Sequence, residues 1–182
     1  MDPSVIIQLV VLIVLIMMSA FFSSAETSFV TVNQIKMRSL AEEGNKKAQR
    51  VLKITSDSSK MLSTILIGNN LVNIAASSLA TTLTLQLWGN TFVSVTTGVL
   101  TLIVLIFGEI TPKTFATAYA DKIAPFYSGP IIFLMTILTP VIFIINILAK
   151  GVLFILRFDP KKTASITEDE LRTMVDVSHE EG

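Results

Sequence analysis

Two carboxylates, three asparagines and a few hydroxyls stand in or beside long uncharged stretches of this 182-residue chain. An ionised carboxylate at bilayer depth costs at least ~2.5 kcal/mol on insertion scales, which makes Glu26 and Glu109 functional candidates. Neither has a Lys or Arg inside its own apolar stretch, so a bound cation or proton would have to fill that role. Glu109 sits in Gly108-Glu109-Ile110-Thr111-Pro112-Lys113. Pro112 has no N–H to donate to the Gly108 carbonyl, and its ring pushes that carbonyl aside. A freed backbone oxygen beside a carboxylate is how transporters build oxygen sites for hard cations. The competing reading places Glu109 among lipid headgroups at a helix end, with Pro112 as the stop. In Gly68-Asn69-Asn70-Leu71-Val72-Asn73, continuing to Ser77 and Ser78, the residues Asn70, Asn73 and Ser77 recur at i, i+3 and i+7 on one helical face. Interhelical packing through Ala76, Ser77 and Ala80 is the alternative, and it is preferred for the two serines. Ser24 and Ser28 lie one turn apart, whereas Glu26 is two positions from each and points nearly the other way. Serines in membrane helices often bond back to their own backbone, so that pair is weak testimony.

The absence of Cys removes disulfides, thiolate chemistry and iron–sulfur clusters, and the single His, His179, nearly excludes zinc and haem. Oxygen-only ligation suits Mg²⁺, Ca²⁺, Mn²⁺ or Na⁺ without choosing among them. No acid–base pair or activated nucleophile is visible, so an enzyme is not expected. The 14 basic and 14 acidic residues cancel, and no basic field argues for nucleic acid.

The elements that must position these groups are membrane helices. Hydrophobic residues make up 51% of the chain and charged ones only 15%, well below the share in ordinary soluble domains. Residues 5–25 and 61–108 carry no charge, and about 20 apolar residues suffice to span a bilayer. Helix one is expected over about 5–33. A cleaved signal peptide is disfavoured because Asp2, with no Lys or Arg, occupies the N-terminus. The second run is long enough for two crossings, about 61–87 and 92–110, turning at Trp88-Gly89-Asn90-Thr91. The segment 36–60 holds Lys36, Arg38, Lys46, Lys47, Arg50, Lys53 and Lys60 against Glu42, Glu43 and Asp57, which predicts a cytoplasmic loop and an outward N-terminus. The apolar stretch 123–157 has Lys122 before it and Lys150 and Arg157 within or after it. A juxtamembrane re-entrant or interfacial helical belt, broken by Pro125, Pro130, Pro140 and Gly151, satisfies the charge rule better than a fourth span. The expected fold is therefore an all-α membrane protein, with a transmembrane domain over 1–158. A polar helix capped by Thr167 and Glu170 is expected in 159–182, leading on to a cytoplasmic domain.

Taken together, Phe21-Phe-Ser-Ser-Ala-Glu-Thr-Ser28, Gly68-Asn-Asn-Leu-Val-Asn-Ile-Ala-Ala-Ser77, Gly108-Glu-Ile-Thr-Pro-Lys113 and Ile166-Thr-Glu-Asp-Glu-Leu171 resemble the CNNM/CorC family of magnesium transporters. The resemblance implies a homodimer in the bacterial inner membrane that exports Mg²⁺ in exchange for Na⁺. It also implies a CBS-domain pair, outside these residues, that binds ATP and regulates transport. Carried over, the ion site uses Ser24, Ser28, Asn70, Asn73 and Glu109, with carbonyls near Gly68 or Gly108. Glu26, Asn69, Ser77, Pro112 and Lys113 then stand around it or at structural contacts. A membrane anchor that senses an ion or lipid for a cytoplasmic domain, without moving anything, is the alternative.

Overall fold

The computed structural model describes residues 2–155, and the helix expected within 159–182 lies outside them. Among the described residues the chain is all helical. Helix α1 (Pro3–Thr31) starts where Asp2 accepts the Ser4 N–H and Pro3 supplies a pre-formed first turn. Then follow α2 (Gln34–Glu42), α3 (Lys46–Thr55) and α4 (Ser58–Trp88), capped by the side chains of Asn33, Asn45 and Asp57. Gly89, at φ 77°, takes the left-handed turn that reverses the chain. A short 3₁₀ turn leads into α5 (Val93–Ile103), a π-helical turn (Val104–Ile110) and α6 (Thr111–Ala118), which together form one spanning element. Two further helices follow, α7 (Ala120–Ile137) and α8 (Thr139–Ile155). Among the described residues, three helices are long and apolar enough to cross a membrane, or four if the broken pair α7 and α8 counts as one.

Three features depart from the sequence reading. The basic segment 36–60 is a pair of amphipathic helices that bury Met37, Ala48, Val51 and Ile54. The third spanning element runs on through Pro112 to Ala118, where the reading stops it at 110. Pro112 is accommodated because the π-helical turn just before it, whose last N–H, that of Thr111, reaches back to Ile106, already interrupts the regular hydrogen-bond register. In α7 the helix continues through Pro125 and Pro130, and α8 continues through Gly151, so within residues 120–155 the helix breaks at Leu138, just ahead of Pro140. Ala120, Ala124, Ser128, Ile131 and Met135 fall along one buried face of α7, and that packing holds the helix across both prolines.

The core lies where the second half of α1 meets α3, α4 and α7. Phe22, Ala25 and Phe29 pack there with Val51, Ile54, Ile65 and Ile131. The first half of α1 leaves Ile7, Val10 and Ile13 exposed, as a lipid-facing helix does. At the junction of α2 and α7, Asp121 accepts hydrogen bonds from the Asn33 backbone N–H (3.0 Å) and the Lys36 ammonium (2.9 Å). The Asn33 N–H first, and Lys36 second, hold its carboxyl below the ordinary aspartate value of 3.8. A carboxyl lowered on folding contributes full stability above that ordinary value and loses it as pH falls through the lowered one. Thermal unfolding of Asp121→Asn is expected to show a loss of about 1 kcal/mol at pH 7, a modest figure because the pair is partly exposed. The difference from the parent should shrink only in acid below that ordinary value.

Candidate metal site

Helix α1 carries two polar edges that meet different neighbours. On one, Ser24 donates to the Phe21 carbonyl (3.1 Å), and its oxygen lies 3.3 Å from the Tyr127 hydroxyl of α7. Ser28, fully buried, donates to the Ala25 carbonyl at 3.0 Å. Both serines are thus satisfied locally, at some distance in character from the asparagines with which the sequence reading groups them.

On the other edge lie Ser19, Ser23 and Glu26, at i, i+4 and i+7. Ser19 is fully buried and donates to Asn69 Oδ1 of α4 at 3.2 Å. It also lies against Gly108 in the π turn, where a Cβ would come within 3.0 Å of Ser19 Oγ. Ser23 is fully buried too, and its hydroxyl has no partner among the described residues. Glu26 meets Lys113 of α6 at 3.1 Å, with both side chains about four-tenths exposed. The charge partner that Glu26 lacks within its own segment therefore arrives from beyond the π turn.

Helix α4 buries Gly68, Val72, Ala76 and Ala80. Gly68 is required by close approach, since a Cβ there would stand 2.4 Å from the Phe22 ring. Asn69 and Asn73, one turn apart, flank this buried stripe, and Asn73 Oδ1 is buried with no partner among the described residues. Asn70 and Ser77 are exposed. Of the three residues grouped at i, i+3 and i+7, only Asn73 therefore turns its carbonyl oxygen inward. Ala76 and Ala80, offered by the sequence for interhelical packing, are buried within the chain.

The π turn delivers the irregular backbone expected around Gly108 and Pro112. The Thr111 N–H reaches the Ile106 carbonyl, one residue further back than in an α-helix. Such turns shift the register of everything after them and recur at functional sites. Glu109 sits on this turn, half-buried, and makes no ion pair or side-chain hydrogen bond among the described residues. No cluster of three or more His, Cys, Asp or Glu occurs among the described residues. A cation held here would rest on amide, hydroxyl and backbone oxygens with Glu109 as the charged ligand, a donor set for hard ions.

Over residues 10–182 the chain matches the model of the CNNM family, described as the cyclin M transmembrane N-terminal domain. It belongs to the CNNM family. Similar proteins include a UPF0053 protein of Haemophilus influenzae, 39% identical over 91% of this chain and 40% of the relative. The UPF0053 inner membrane protein YfjD of Escherichia coli is 38% identical over 86% of this chain and 37% of its own length. A chloroplastic DUF21 domain-containing protein of Arabidopsis thaliana is 41% identical over 92% of this chain and 26% of its own length. The chain thus spans about two-fifths, or less, of these relatives.

In this CNNM domain Ser19 of α1 joins the three elements, bonding Asn69 of α4 and lying against Gly108 of the π turn; Ser23 and Asn73 follow one helical turn after Ser19 and Asn69, and Glu109 follows Gly108. Ser19 and Ser23 escape a motif-led reading, although their spacing to Glu26 marks a polar stripe on an apolar helix. Tyr127 escapes it as well, because its contact with Ser24 depends on where α7 packs.

Proposed function

We propose that this CNNM domain moves Mg²⁺ across the membrane, as an exporter coupled to Na⁺, through the oxygens that α1, α4 and the π turn present to one another. Of three buried side-chain oxygens without a partner among the described residues, Gln8 Oε1 lies far up α1, and the other two, Asn73 Oδ1 and Ser23 Oγ, carry the reading because each follows by one turn the Asn69 and Ser19 through which α4 and α1 meet. A buried polar group left unsatisfied costs about 1–3 kcal/mol, and a visiting cation supplies the missing partner. The donor set suits hard cations in general, and the resemblance to magnesium transporters is what favours Mg²⁺ among them. The excess of Lys and Arg on α2 and α3 supports an orientation with their end of the bundle, and the C-terminus, on the cytoplasmic side. Exposed Asn70, Ser77 and Ser78 on a spanning helix suit contact with a second copy in a homodimer better than contact with lipid. A bacterial inner membrane agrees with the name of the Escherichia coli relative. A CBS pair binding ATP belongs to the part of the protein beyond these residues. No reaction chemistry is assigned to the domain.

Reconstitution into sealed vesicles with a Mg²⁺-sensitive dye tests the proposal. Asn73→Ala is expected to lower flux at least about tenfold, since even residues behind a metal's ligands commonly cost that much. Asn70→Ala should retain flux within a few-fold. If Asn73→Ala moves Mg²⁺ like the parent, the site is misplaced; if the parent binds Mg²⁺ without moving it, the domain is a sensor.

A further inference from the structure

The corner where α6 meets α7 carries two adjoining cavities of opposite character that share Lys122. The larger, about 680 Å³, opens between α1, α6 and α7 with walls of Met17, Ala20, Phe21, Phe115 and Phe126. The smaller, about 330 Å³, is polar and includes Lys36, Thr31, Thr117 and Asp121. Its two threonine hydroxyls are committed to their own helices: Thr31 donates to the Thr27 carbonyl and Thr117 to the Lys113 carbonyl. Asp121 is occupied by Lys36 and the Asn33 N–H. Lys122 is left as a cation with no salt bridge among the described residues, its ammonium 5.9 Å from the Tyr119 ring centroid. The corner directly follows Ala118, where the third spanning element ends, and Tyr119 is a residue type enriched at the membrane–water interface.

A greasy cavity joined to a cationic one at that depth has the polarity profile of a single amphiphile. We propose that this corner holds one anionic phospholipid from the leaflet nearest α2 and α3, its phosphate on Lys122 and one acyl chain in the larger cavity. The lysine stem lies along the apolar wall while its ammonium meets the phosphate. The net positive charge of the corner, after Lys36 is cancelled by Asp121, sets the preference for an anionic headgroup over a zwitterionic one. The chain braces α1 against α6 and α7, the helices that line the cavity. The site is separate from the asparagine cluster, and its test needs no transport.

The purified full chain, exposed in detergent to equal amounts of phosphatidylglycerol and phosphatidylcholine with identical acyl chains, is examined by native mass spectrometry. The parent should retain phosphatidylglycerol preferentially. Lys122→Gln is expected to reduce that preference about fivefold, the worth of one cation near an anionic surface. Lys46→Gln, at an exposed position at the start of α3, should leave it unchanged. Phe126→Ser removes a cavity wall from a position already 71% exposed, so the fold should tolerate it. It should lower retention of both lipids without changing their ratio. An unchanged preference in Lys122→Gln overturns the headgroup assignment, and unchanged retention in Phe126→Ser overturns the chain assignment. Thermal stabilisation by glycerol 3-phosphate equal to that by phosphatidylglycerol would replace the lipid with a free anion.

Discussion

Glu109→Gln is expected to abolish Mg²⁺ flux, by about 100-fold or more at subsaturating Mg²⁺, while the protein folds and melts as the parent does. The two acids at the edges of the apolar runs have different fates. Glu26 is neutralised by Lys113 at 3.1 Å. Glu109 makes no ion pair among the described residues and sits on the π turn whose Gly108 touches Ser19. The remaining oxygens of the proposed site are neutral amides, hydroxyls and carbonyls, so its affinity for a divalent ion hangs on this one carboxylate. Even at an effective dielectric of about 20, two unit charges about 4 Å apart interact by ~4 kcal/mol, and removing such a term lowers binding by about two to three orders of magnitude. Glutamine preserves shape, and no ion pair is lost, so melting followed by circular dichroism should move little. Glu26→Gln is the control in the opposite sense. It breaks a half-exposed pair worth less than about 1 kcal/mol and should leave flux within a few-fold of the parent. Equal losses from the two substitutions would mean that position on the π turn confers nothing, and the carboxylate assignment would be wrong.

What could be read from the residues in order was local or periodic. The uncharged run 61–108 splits at Trp88–Thr91 because glycine permits the φ of 77° that the reversal needs, and the structure turns there. Pro112, by withholding a donor from Gly108, signals irregular helix, and the π turn occupies 104–110. What could not be read was which side of each helix faces which neighbour. The i, i+3, i+7 pattern of Asn70, Asn73 and Ser77 is a true helical face, yet α1 packs along Gly68 and Val72, which turns Asn69 and Asn73 inward and Asn70 outward. Ser19 is 50 residues from Asn69 in sequence, and only helix packing brings the two together. In 36–60 the count of lysines hid the apolar spacing of Met37, Val51 and Ile54, because charge on one face of a short helix does not prevent burial of the other. The prolines of α7 misled for a related reason: their local penalty is outweighed by a buried face that extends on either side of both.

Gly68→Ala should destabilise the domain by about 1–3 kcal/mol, the usual cost of forcing extra carbon into a packed core. The direction is opposite to the general rule, since alanine inside a helix is favoured over glycine by about 1 kcal/mol. Here the new Cβ would lie 2.4 Å from two ring carbons of Phe22, closer than atoms can stand. Phe22 is only 4% exposed and packs edge-on against Phe21 with ring centroids 5.2 Å apart, so the ring has little room to retreat. The remaining response is for α1 and α4 to separate, and Asn69, the next residue, would then lose its 3.2 Å contact with Ser19. Flux should therefore fall together with melting temperature. Gly108→Ala separates the two effects. Its Cβ meets Ser19 Oγ at 3.0 Å and Ser19 Cβ at 3.3 Å, a milder conflict that a small displacement relieves. It should cost less than Gly68→Ala in stability yet still disturb Ser19, which the site shares between α4 and the π turn. Pairing Gly68→Ala with Phe22→Leu, which removes the opposing ring, should recover part of the lost stability, because substitutions in direct contact are not additive. If Gly68→Ala melts at or above the parent temperature, the close contact between α1 and α4 is looser than this packing requires, and the alignment of Ser19 with Asn69 loses its support.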